Sequence, residues 1–321
     1  MVDHSKFDRI LVTGGAGFIG SEYVRSAISG TLYGGIPEKV QVLDLLTYAG
    51  DIKRLAEVSS SSIFEFIQGS INDINLVDQL VSKTDAIVHF AAESHVDRSI
   101  LDSTKFVETN VLGTNVLLDA ANKYNKTIIL VSTDEVYGSL ANGLATEKFP
   151  LCPSSPYSAS KSAGDLIGLA FHFTHGLDVR VTRSVNNYGK FQNTEKLIPK
   201  SIKLLASGKP IELYGDGKNV RNWLHITDHC EAIARVLHLG EPGEIYNIGS
   251  EESFTNLDLA NSLINLINPG IGAIKFIEER LGHDYRYAVD SSKIRTLLDW
   301  VPKHNFEESL GEVIQSINSL D

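Results

Sequence analysis

The chain has 321 residues, of which 42% are hydrophobic, enough to bury the core of one large domain or of two closely joined ones. Its formal net charge of −11 argues against broad binding to nucleic acids or membrane surfaces, although local donors could still hold an anionic small substrate. No apolar run is long enough to span a bilayer and no secretory segment precedes the first predicted strand, so we expect a cytoplasmic location.

The first half of the chain alternates short apolar runs, rich in Val, Ile and Leu, with longer amphipathic ones. This alternation predicts βαβ units and a doubly wound parallel sheet of the Rossmann type, an α/β fold. The predicted strands are Arg9–Thr13, Val40–Asp44, Ile63–Gln68, Ala86–Phe90, Ile128–Ser132 and Val179–Arg183. The predicted helices are Phe18–Ser29, Asp73–Ser82, Thr104–Lys123 and Pro156–Thr174.

The regular alternation stops after about Ser184, and shorter elements follow. We interpret residues 1–184 as a Rossmann domain and residues 185–321 as a smaller C-terminal substrate-binding lobe, some of whose segments return to the first domain. The predicted elements of this second part are Lys196–Ala206, Ile211–Tyr214, Asn222–Ile226, His229–Leu239, Asn256–Ile267, Lys275–Glu278 and Glu307–Ile317.

The chain has two cysteines, Cys152 and Cys230. Two cysteines in a chain of this length do not make a disulfide framework, and neither stands in a metal-ligand spacing. Free cysteines are among the most buried residues in proteins, so we expect two buried thiols and no metal site.

A glycine pattern joins the first predicted strand to the first predicted helix, at Gly14, Gly17 and Gly20. Glycines here let the diphosphate of a dinucleotide approach the backbone at the helix N-terminus. Asp44 ends the second strand, 24 residues after Gly20, and a carboxylate there accepts hydrogen bonds from a ribose and repels a 2′-phosphate. The pattern therefore predicts a dinucleotide site that favours NAD over NADP.

Tyr157 and Lys161 lie four residues apart on a predicted helix and so share one face. The lysine and an oxidised nicotinamide would lower the pKa of the tyrosine, because both stabilise the phenolate. Tyr157 could then take the proton from a substrate hydroxyl while hydride leaves to NAD. Thr133, 24 residues earlier at a strand end, could hydrogen-bond the same substrate oxygen.

Two adjacent carboxyl groups, Asp134 and Glu135, follow Thr133 directly. One carboxyl that its surroundings keep protonated can act as an acid while the other acts as a base. Beside a ketone the neighbouring carbon becomes acidic, so such a pair would eliminate water. The alternative for adjacent carboxylates in a loop is simple solvation.

These features together resemble the extended short-chain dehydrogenase/reductases and, within them, the dTDP-glucose 4,6-dehydratases, over essentially the whole chain. The triplet Thr133–Glu135 and the run Glu195–Pro199 are specific to the dehydratase branch, whereas the glycine loop and the Tyr/Lys pair are shared by many relatives. Further runs that carry the resemblance are Leu46–Gly50, His89–Ile100, Thr109–Thr114, Ser132–Gly138, Asn186–Gly189, Tyr214–Leu224 and Gly282–Tyr287.

The resemblance implies a redox-neutral cycle of three steps. Tyr157, assisted by Lys161, deprotonates the glucose C4 hydroxyl as hydride passes to NAD. Glu135 then removes the C5 proton while Asp134 protonates the departing C6 hydroxyl. Hydride returns to C6, which gives 4-keto-6-deoxyglucose attached to dTDP and regenerates NAD in place.

Carried over position by position, the resemblance implies two sets of binding residues and a homodimer built from the helices Thr104–Lys123 and Pro156–Thr174. NAD would be held by Gly14, Gly17, Phe18, Ile19, Gly20, Asp44, Leu46, Thr47, Ser70, Ile71, Ala91, Ala92, Ser94, Asn110, Tyr157 and Lys161. The nucleotide diphosphate-sugar would be held by Ser94, Thr133, Asp134, Glu135, Asn187, Glu195, Lys196, Leu197, Arg221, Asn256, His283 and Tyr287.

The sequence departs from the family pattern in four places, none of them in the catalytic set. Leu45 stands where a Lys usually follows the aspartate, and Ser70 stands where an Asp commonly meets the adenine. Residues 189–194 replace a more Pro-rich loop, and Arg280-Leu-Gly282 replaces Arg-Pro-Gly. The first two departures affect the adenine side, and the other two affect the substrate loop.

Other functions stay open on the sequence. A nucleotide-sugar 4-epimerase or a UDP-glucuronate decarboxylase of the same fold would use Tyr157 and Lys161 without needing Glu135 as a C5 base. A non-catalytic NAD-binding regulator has no need of an activated phenolate, and the intact Thr133, Tyr157 and Lys161 argue against it. The sequence also leaves open whether the nucleotide base is thymine or uracil.

Overall fold

The alternating runs of the first half form parallel strands in the computed structural model, which describes residues 7–267 and 274–318. Charged residues 1–6, part of the stretch on which the expectation about a secretory segment rests, lie outside the described residues. The strands are β1 Arg9–Thr13, β2 Lys39–Asp44, β3 Phe64–Gln68, β4 Ala86–His89, β5 Thr127–Thr133, β6 Val179–Ser184, β7 Asn186–Tyr188, β8 Ile211–Tyr214, β9 Val220–His225, β10 Ile245–Ile248, β11 Ser253–Thr255 and β12 Ile274–Ile277.

The large sheet has the strand order β10-β6-β5-β4-β1-β2-β3, with all neighbours parallel. Its central strands β4, β5 and β6 are buried along their whole length, because helices cover both faces. Chain order reverses between β1 and β4, and ligands of such sheets bind beyond the carboxyl ends of the strands at this point. The predicted doubly wound α/β fold is therefore confirmed.

Two layers of helices cover the sheet. One apolar cluster joins the helices Phe18–Ser29 (α1), Ile226–Leu239 (α8) and Ser292–Leu298 (α10) to one face. A second cluster joins Ile74–Val81 (α2), Thr114–Tyr124 (α5) and Pro156–His175 (α6) to the other face. The helices are α1 Phe18–Ser29, α2 Ile74–Val81, α3 Val96–Leu101, α4 Thr104–Phe106, α5 Thr114–Tyr124, α6 Pro156–His175, α7 Leu197–Ala206, α8 Ile226–Leu239, α9 Asn256–Ile267, α10 Ser292–Leu298 and α11 Phe306–Asn318, with two 3-10 helices at Ile52–Val58 and Asp134–Tyr137.

The predicted helix Thr104–Lys123 contains a π-helical segment, Val107–Gly113, between α4 and α5. Asn110 lies within it, and its side chain accepts from the N–H of Glu93 and donates to the Glu93 carbonyl and the Ser160 hydroxyl. π-Helical turns occur frequently at functional sites. This one fastens the loop after β4 to α6, the two elements that flank the reversal point of the sheet.

The C-terminal part of the chain does not form a fully separate unit. β10 pairs with β6 at the edge of the large sheet, and α8 and α10 pack on the same sheet. The remaining elements surround their own core of Trp223, Leu259 and Phe306, with small sheets of order β11-β9-β7 and β12-β8. Segments of this part thus complete the large sheet, and the division near residue 184 stays a prediction.

One expectation about the cysteines is wrong. Cys230 is buried, but Cys152 is exposed, because it lies in the irregular segment before α6 and not in the core. Across residues 7–267 and 274–318, no helix is both long and apolar enough to cross a membrane. The same residues contain no group of three or more His, Cys, Asp or Glu side chains that could hold a metal ion.

Candidate active site

A cavity of about 1090 Å³ opens beyond the carboxyl ends of β1, β4 and β5, between the large sheet and the C-terminal elements. Its wall includes the glycine loop, the start of α6, the segment that leads into α7 and the segment after β12. The predicted site residues line this cavity with the exception of Leu46, Asn110 and Asp134. The fold therefore brings together residues that are far apart in the sequence.

The glycine loop is shaped so that only glycine fits at two of its positions. A Cβ on Gly14, whose φ is 70°, would lie 2.5 Å from the backbone nitrogen of Ala91. A Cβ on Gly20 would lie 2.3 Å from the carbonyl oxygen of Gly14. The N-cap of α1 is Gly17, so no side chain caps the first N–H groups of the helix. This cradle fits the diphosphate of a dinucleotide.

Asp44 is oriented by the backbone at the end of β2. Its Oδ2 accepts from the N–H of Ala16 at 2.9 Å, and its Oδ1 accepts from the N–H of Leu46 at 2.8 Å. Leu46 has a φ of 56° and packs against the apolar cluster, while its neighbour Leu45 lines the cavity. The carboxylate of Asp44 thus stands at the wall, where the sequence predicts a ribose contact.

The start of α6 presents the tyrosine and the lysine. A capping box of Ser155 and Ser158 begins this helix, and Tyr157 and Lys161 both line the cavity from its first turns. The Nζ of Lys161 donates to the carbonyl oxygen of Val131 at 2.8 Å, which ties α6 to β5. The capping box and this hydrogen bond together determine the position of Tyr157 and Lys161 in the cavity wall.

The carboxyl pair lies in the turn directly after β5. Thr133 caps the 3-10 helix by accepting a hydrogen bond from the N–H of Glu135 at 3.3 Å. Asp134 is 2% exposed, and its Oδ2 has no hydrogen-bond partner among the described residues. Burial and the negative charge of Glu135 raise the pKa of Asp134 to about 8, so this carboxyl is mostly protonated at neutral pH.

Glu135 faces the cavity, and its surroundings differ from those of Asp134. Burial raises its pKa, but the cationic side chains of Lys196, Arg280 and Arg221 act in the opposite direction. Two carboxyl groups with unlike surroundings are an arrangement that suits one acid and one base.

The expected lowering of the Tyr157 pKa by Lys161 is not found. Burial raises the pKa of Tyr157 well above its ordinary value and the charge of Glu135 adds to this, while a hydrogen bond with Thr133 opposes it. The Lys161 ammonium group is directed at the Val131 carbonyl, and burial lowers its own pKa. The lowering predicted for Tyr157 thus rests on the other cation named with Lys161, the oxidised nicotinamide.

Cationic side chains from the C-terminal elements line another part of the wall. The Nζ of half-buried Lys196 donates to the carbonyl oxygen of Ser94 at 3.1 Å, and desolvation lowers its pKa. Arg221 is 5% exposed, donates to the carbonyl oxygen of Asp284 at 2.8 Å and lies 4.4 Å from the centroid of the Tyr287 ring. Such held cations suit an anionic group of a ligand.

Contacts at the mouth of the cavity join its two sides. The carboxylate of Glu195 lies 2.5 Å from Nη2 of Arg98 and 3.1 Å from Nε2 of His95. Arg98 lies 3.8 Å from the ring centroid of Tyr48, whose hydroxyl donates to Glu93 at 3.0 Å. The segment before α7 is thereby linked to α3 and to the loop after β2.

Several buried polar atoms of the cavity wall have no hydrogen-bond partner within the described part of the chain. Such atoms destabilise a fold unless water or a ligand satisfies them, so their concentration here marks a site for a polar ligand. Among them are His95 Nδ1, Asn187 Oδ1, Gln192 Oε1, Trp223 Nε1, both ring nitrogens of His229, Asn256 Oδ1 and Arg280 Nε.

The sequence predicts only Asn187 and Asn256 of this set as site residues. His95 and Trp223 lie in runs that carry the family resemblance, as do Tyr48, Arg98 and Thr109, which also line the cavity. Those runs are the signal by which they could be found. Gln192 and His229 have no such signal, because only the tertiary fold brings them to the site.

Comparison with known proteins identifies the family. Residues 11–313 match the family model described as GDP-mannose 4,6 dehydratase. The chain belongs to this family of nucleotide-sugar dehydratases. Among its relatives is the dTDP-glucose 4,6-dehydratase of Streptomyces niveus, which is 49% identical over 308 residues that cover 96% of this chain and 92% of the relative. The resemblance inferred from the motifs is therefore confirmed.

Solved structures agree with this assignment. DesIV, a dTDP-glucose 4,6-dehydratase from Streptomyces venezuelae with NAD and TYD bound, has a TM-score of 0.95 and 46% identity, covering 97% of each chain. UDP-glucuronic acid 4-epimerase from Bacillus cereus has a TM-score of 0.91 at 26% identity, covering 97% of this chain and 99% of that one. Because an epimerase shares the fold, the reaction has to be argued from the site.

Proposed function

We propose that this chain converts dTDP-glucose to dTDP-4-keto-6-deoxyglucose and water, with NAD recycled in place. The protonated carboxyl of Asp134 beside Glu135, next to Tyr157 and Lys161, carries this proposal, because a reaction that expels water needs an acid and a base besides the redox pair. Relatives that are 46% and 49% identical are dTDP-glucose 4,6-dehydratases, and one of them binds NAD.

The residues present fit NAD. The glycine loop would hold its diphosphate, and Asp44 would accept hydrogen bonds from the adenosine ribose and repel a 2′-phosphate. When bound, NAD takes a hydride from C4 of the sugar and returns it at C6, and the positive charge of its oxidised ring favours the Tyr157 phenolate.

The chain's own residues move the protons. Tyr157 takes the proton of the C4 hydroxyl while Thr133 holds the same oxygen, and C4 becomes a ketone. The ketone makes C5 acidic, and its proton passes to Glu135. Asp134 gives its proton to the C6 hydroxyl, which leaves as water, so that a C5–C6 double bond forms. Once C6 has been reduced, Glu135 returns a solvent-exchanged proton to C5. Tyr157 then releases the proton it took from the C4 hydroxyl, and Asp134 takes up one from solvent, so the protons balance over the cycle.

The nucleotide diphosphate would be held by the C-terminal part of the chain. Arg221 and Lys196 supply positive charge for the diphosphate. The buried amide oxygen of Asn256, which has no protein partner among the described residues, would accept a hydrogen bond from a hydroxyl or N–H group of the nucleoside. On this proposal, residues 1–184 supply most NAD contacts and residues 185–321 supply most substrate contacts.

The test is incubation of the purified full chain with dTDP-glucose in deuterated water without added cofactor, followed by mass and NMR analysis. We expect a product that is lighter by one water and carries deuterium at C5. Unchanged dTDP-glucose, also after NAD is added, would contradict the proposal and favour a 4-epimerase or decarboxylase, for which UDP-sugars are the next substrates to test.

A homodimer in the cytoplasm is part of the same proposal. Large apolar side chains are exposed on the helical segments 104–124 and 156–175, among them Leu112 at 53% and Phe173 at 80%. A second copy of the chain packed on these helices would cover such side chains. The mass of the chain at micromolar concentration tests the dimer, and cell fractionation tests the location.

A further inference from the structure

His229 is a buried histidine that no contact within the described fold explains. It lies in the first turn of α8, is 1% exposed, and neither ring nitrogen has a hydrogen-bond partner among the described residues. Burial lowers its pKa to about 3, so the ring is neutral, with one donor and one acceptor nitrogen. Because it lines the cavity, a ligand there could satisfy both nitrogens.

The neighbours of His229 place it beside the dinucleotide cradle. The next residue, Cys230, has its Sγ 3.7 Å from the carbonyl oxygen of Ile19, in the first turn of α1. One turn earlier, Ile226 packs against Gly189 so closely that a Cβ there would come within 2.4 Å of it. His229 therefore lies between the start of α1 and the loop that follows β7.

That loop, residues 189–193, lies within the run 189–194 in which the sequence departs from the family pattern. It is fastened to the nucleotide-binding half of the chain: Arg25 of α1 lies 4.9 Å from the ring centroid of Phe191, and Lys190 pairs with Glu57 at 3.2 Å. Phe191 has a φ of 68°, a strained conformation for a bulky residue. The contacts that hold this conformation also hold the loop against the cavity.

Gln192 lines the same cavity as His229 and also has a polar atom left without a partner in the described structure. Its Nε2 donates to the carbonyl oxygen of Asn187 at 2.8 Å, which fixes the amide and leaves Oε1 buried without a partner in the described structure. Asn187 is fixed in the same way, since its Nδ2 donates to the Val185 carbonyl at 2.8 Å and its Oδ1 is left over. Two acceptors and a neutral imidazole match a ligand with hydroxyl or amide donors, whereas a diphosphate brings acceptors only.

Asn187 ties this group to the catalytic end of the cavity, because its Nδ2 also donates to Oγ of Ser184 at 3.1 Å and Ser184 pairs with Thr133 in the register of β6 and β5. Gln192 is bonded to Asn187, and His229 lines the same cavity. We propose that His229 and Gln192 hold the nicotinamide-riboside half of NAD through its ribose hydroxyls and carboxamide. This inference rests on the proposed use of NAD. It assigns two further binding residues to that cofactor and gives a physical reason for its retention between turnovers.

The experiment compares His229→Leu and Gln192→Leu with the wild-type full chain. NAD per protomer is measured after purification, and dissociation constants for NAD and for ADP are measured on stripped protein. We expect each variant to bind NAD about 10-fold more weakly, with ADP binding unchanged, because ADP covers only the adenosine half. Stripped His229→Leu should melt about 2–4 °C higher, since the unpaired imidazole is gone.

His283→Leu is the matched control, since this cavity histidine lies on the substrate side; it should retain NAD and bind dTDP more weakly. Unchanged NAD binding in both test variants would overturn the inference, and so would an equal loss of NAD and ADP binding. Should His229→Leu fail to fold, Gln192→Leu carries the test alone. A wild-type chain that binds NAD but leaves dTDP-glucose unchanged would instead contradict the proposed function.

Discussion

Asp134 and Glu135 are neighbours in the chain, yet their surroundings give them different protonation properties. Asp134 is buried and protonated at neutral pH, as the proposed role of an acid requires, whereas Glu135 lines the cavity and is influenced by the charges of Lys196 and other cations. From the residues alone, an acid and a base can be predicted, and the resemblance assigns the two roles. The physical reason for the assignment is burial, which depends on the packing of the whole turn.

Replacing Glu135 by Gln should leave a slow oxidation at C4 but block the elimination, because an amide cannot take the C5 proton. Turnover should fall by about 10²–10⁴-fold, and reduced nicotinamide should accumulate on the enzyme, where its absorbance measures it. Tyr157→Phe is the matched variant and should give no reduced nicotinamide. Turnover of Glu135→Gln at the wild-type rate would show that Glu135 is not the C5 base.

The raised pKa of Asp134 also predicts how stability depends on pH. The pKa of this carboxyl is its ordinary 3.8 in the unfolded chain and about 8 in the folded one. Between these values the unfolded state binds fewer protons, so this group lowers the stability as pH rises. We therefore compare the Asp134→Asn variant with the wild type, both freed of NAD. As the pH rises from about 4 to 8, the melting temperature of the variant should fall less than that of the wild type. Equal losses in the two proteins would contradict the raised pKa.

The start of α6 is the element on which the position of Tyr157 depends. Ser155 accepts from the N–H of Ser158 at 3.1 Å, and its own N–H donates to the Ser158 hydroxyl. Ser155→Ala should lower the free energy of unfolding by about 1 kcal/mol and reduce turnover, because the first turn of the helix loosens. Ser103→Ala is a control, since this N-cap makes no side-chain cap bond. Equal unfolding curves and rates for both variants would contradict this role.

Elements with local signals are the ones that the sequence predicts well. Helix α1, Phe18–Ser29, has its predicted bounds because Gly17 precedes it and Gly30 ends it in a left-handed conformation. The π-helical segment Val107–Gly113 has no local signal, since its register accompanies the tertiary bonds of Asn110. β10 is missed for the same kind of reason: four residues carry no clear alternation, and pairing with β6 stabilises them.

Both halves of the chain contribute residues to the site. Residues that reach it only through packing between the halves cannot be predicted from the sequence. Family motifs predict most of the cavity wall, because each motif is a local run. The contribution of Gln192 and His229 depends on how the loop 189–193 packs on α1 and how α8 packs beneath it. Contacts between halves of a molecule leave no periodicity or spacing in the sequence.

The contacts of Arg98 at the mouth of the cavity also join the two halves of the chain, and we expect them to slow the release of NAD. Arg98 is half-exposed, so its ion pair with Glu195 should add little to the stability of the fold. The same guanidinium stacks on Tyr48, however, and so joins the loop after β2 to the segment before α7 across the cavity. Arg98→Met should therefore leave the melting temperature of the stripped protein nearly unchanged but release NAD about 5-fold faster.

Arg286→Met is the matched control for this prediction, because Arg286 donates to the carbonyl oxygen of Gly143 outside the cavity wall. NAD release is followed by dilution of the loaded enzyme into a scavenger of free NAD. A faster release in Arg98→Met but not in Arg286→Met would assign retention to the contacts between the halves. Equal release rates in both variants and the wild type would mean that the glycine cradle and the walls beneath it hold the cofactor without help from the mouth.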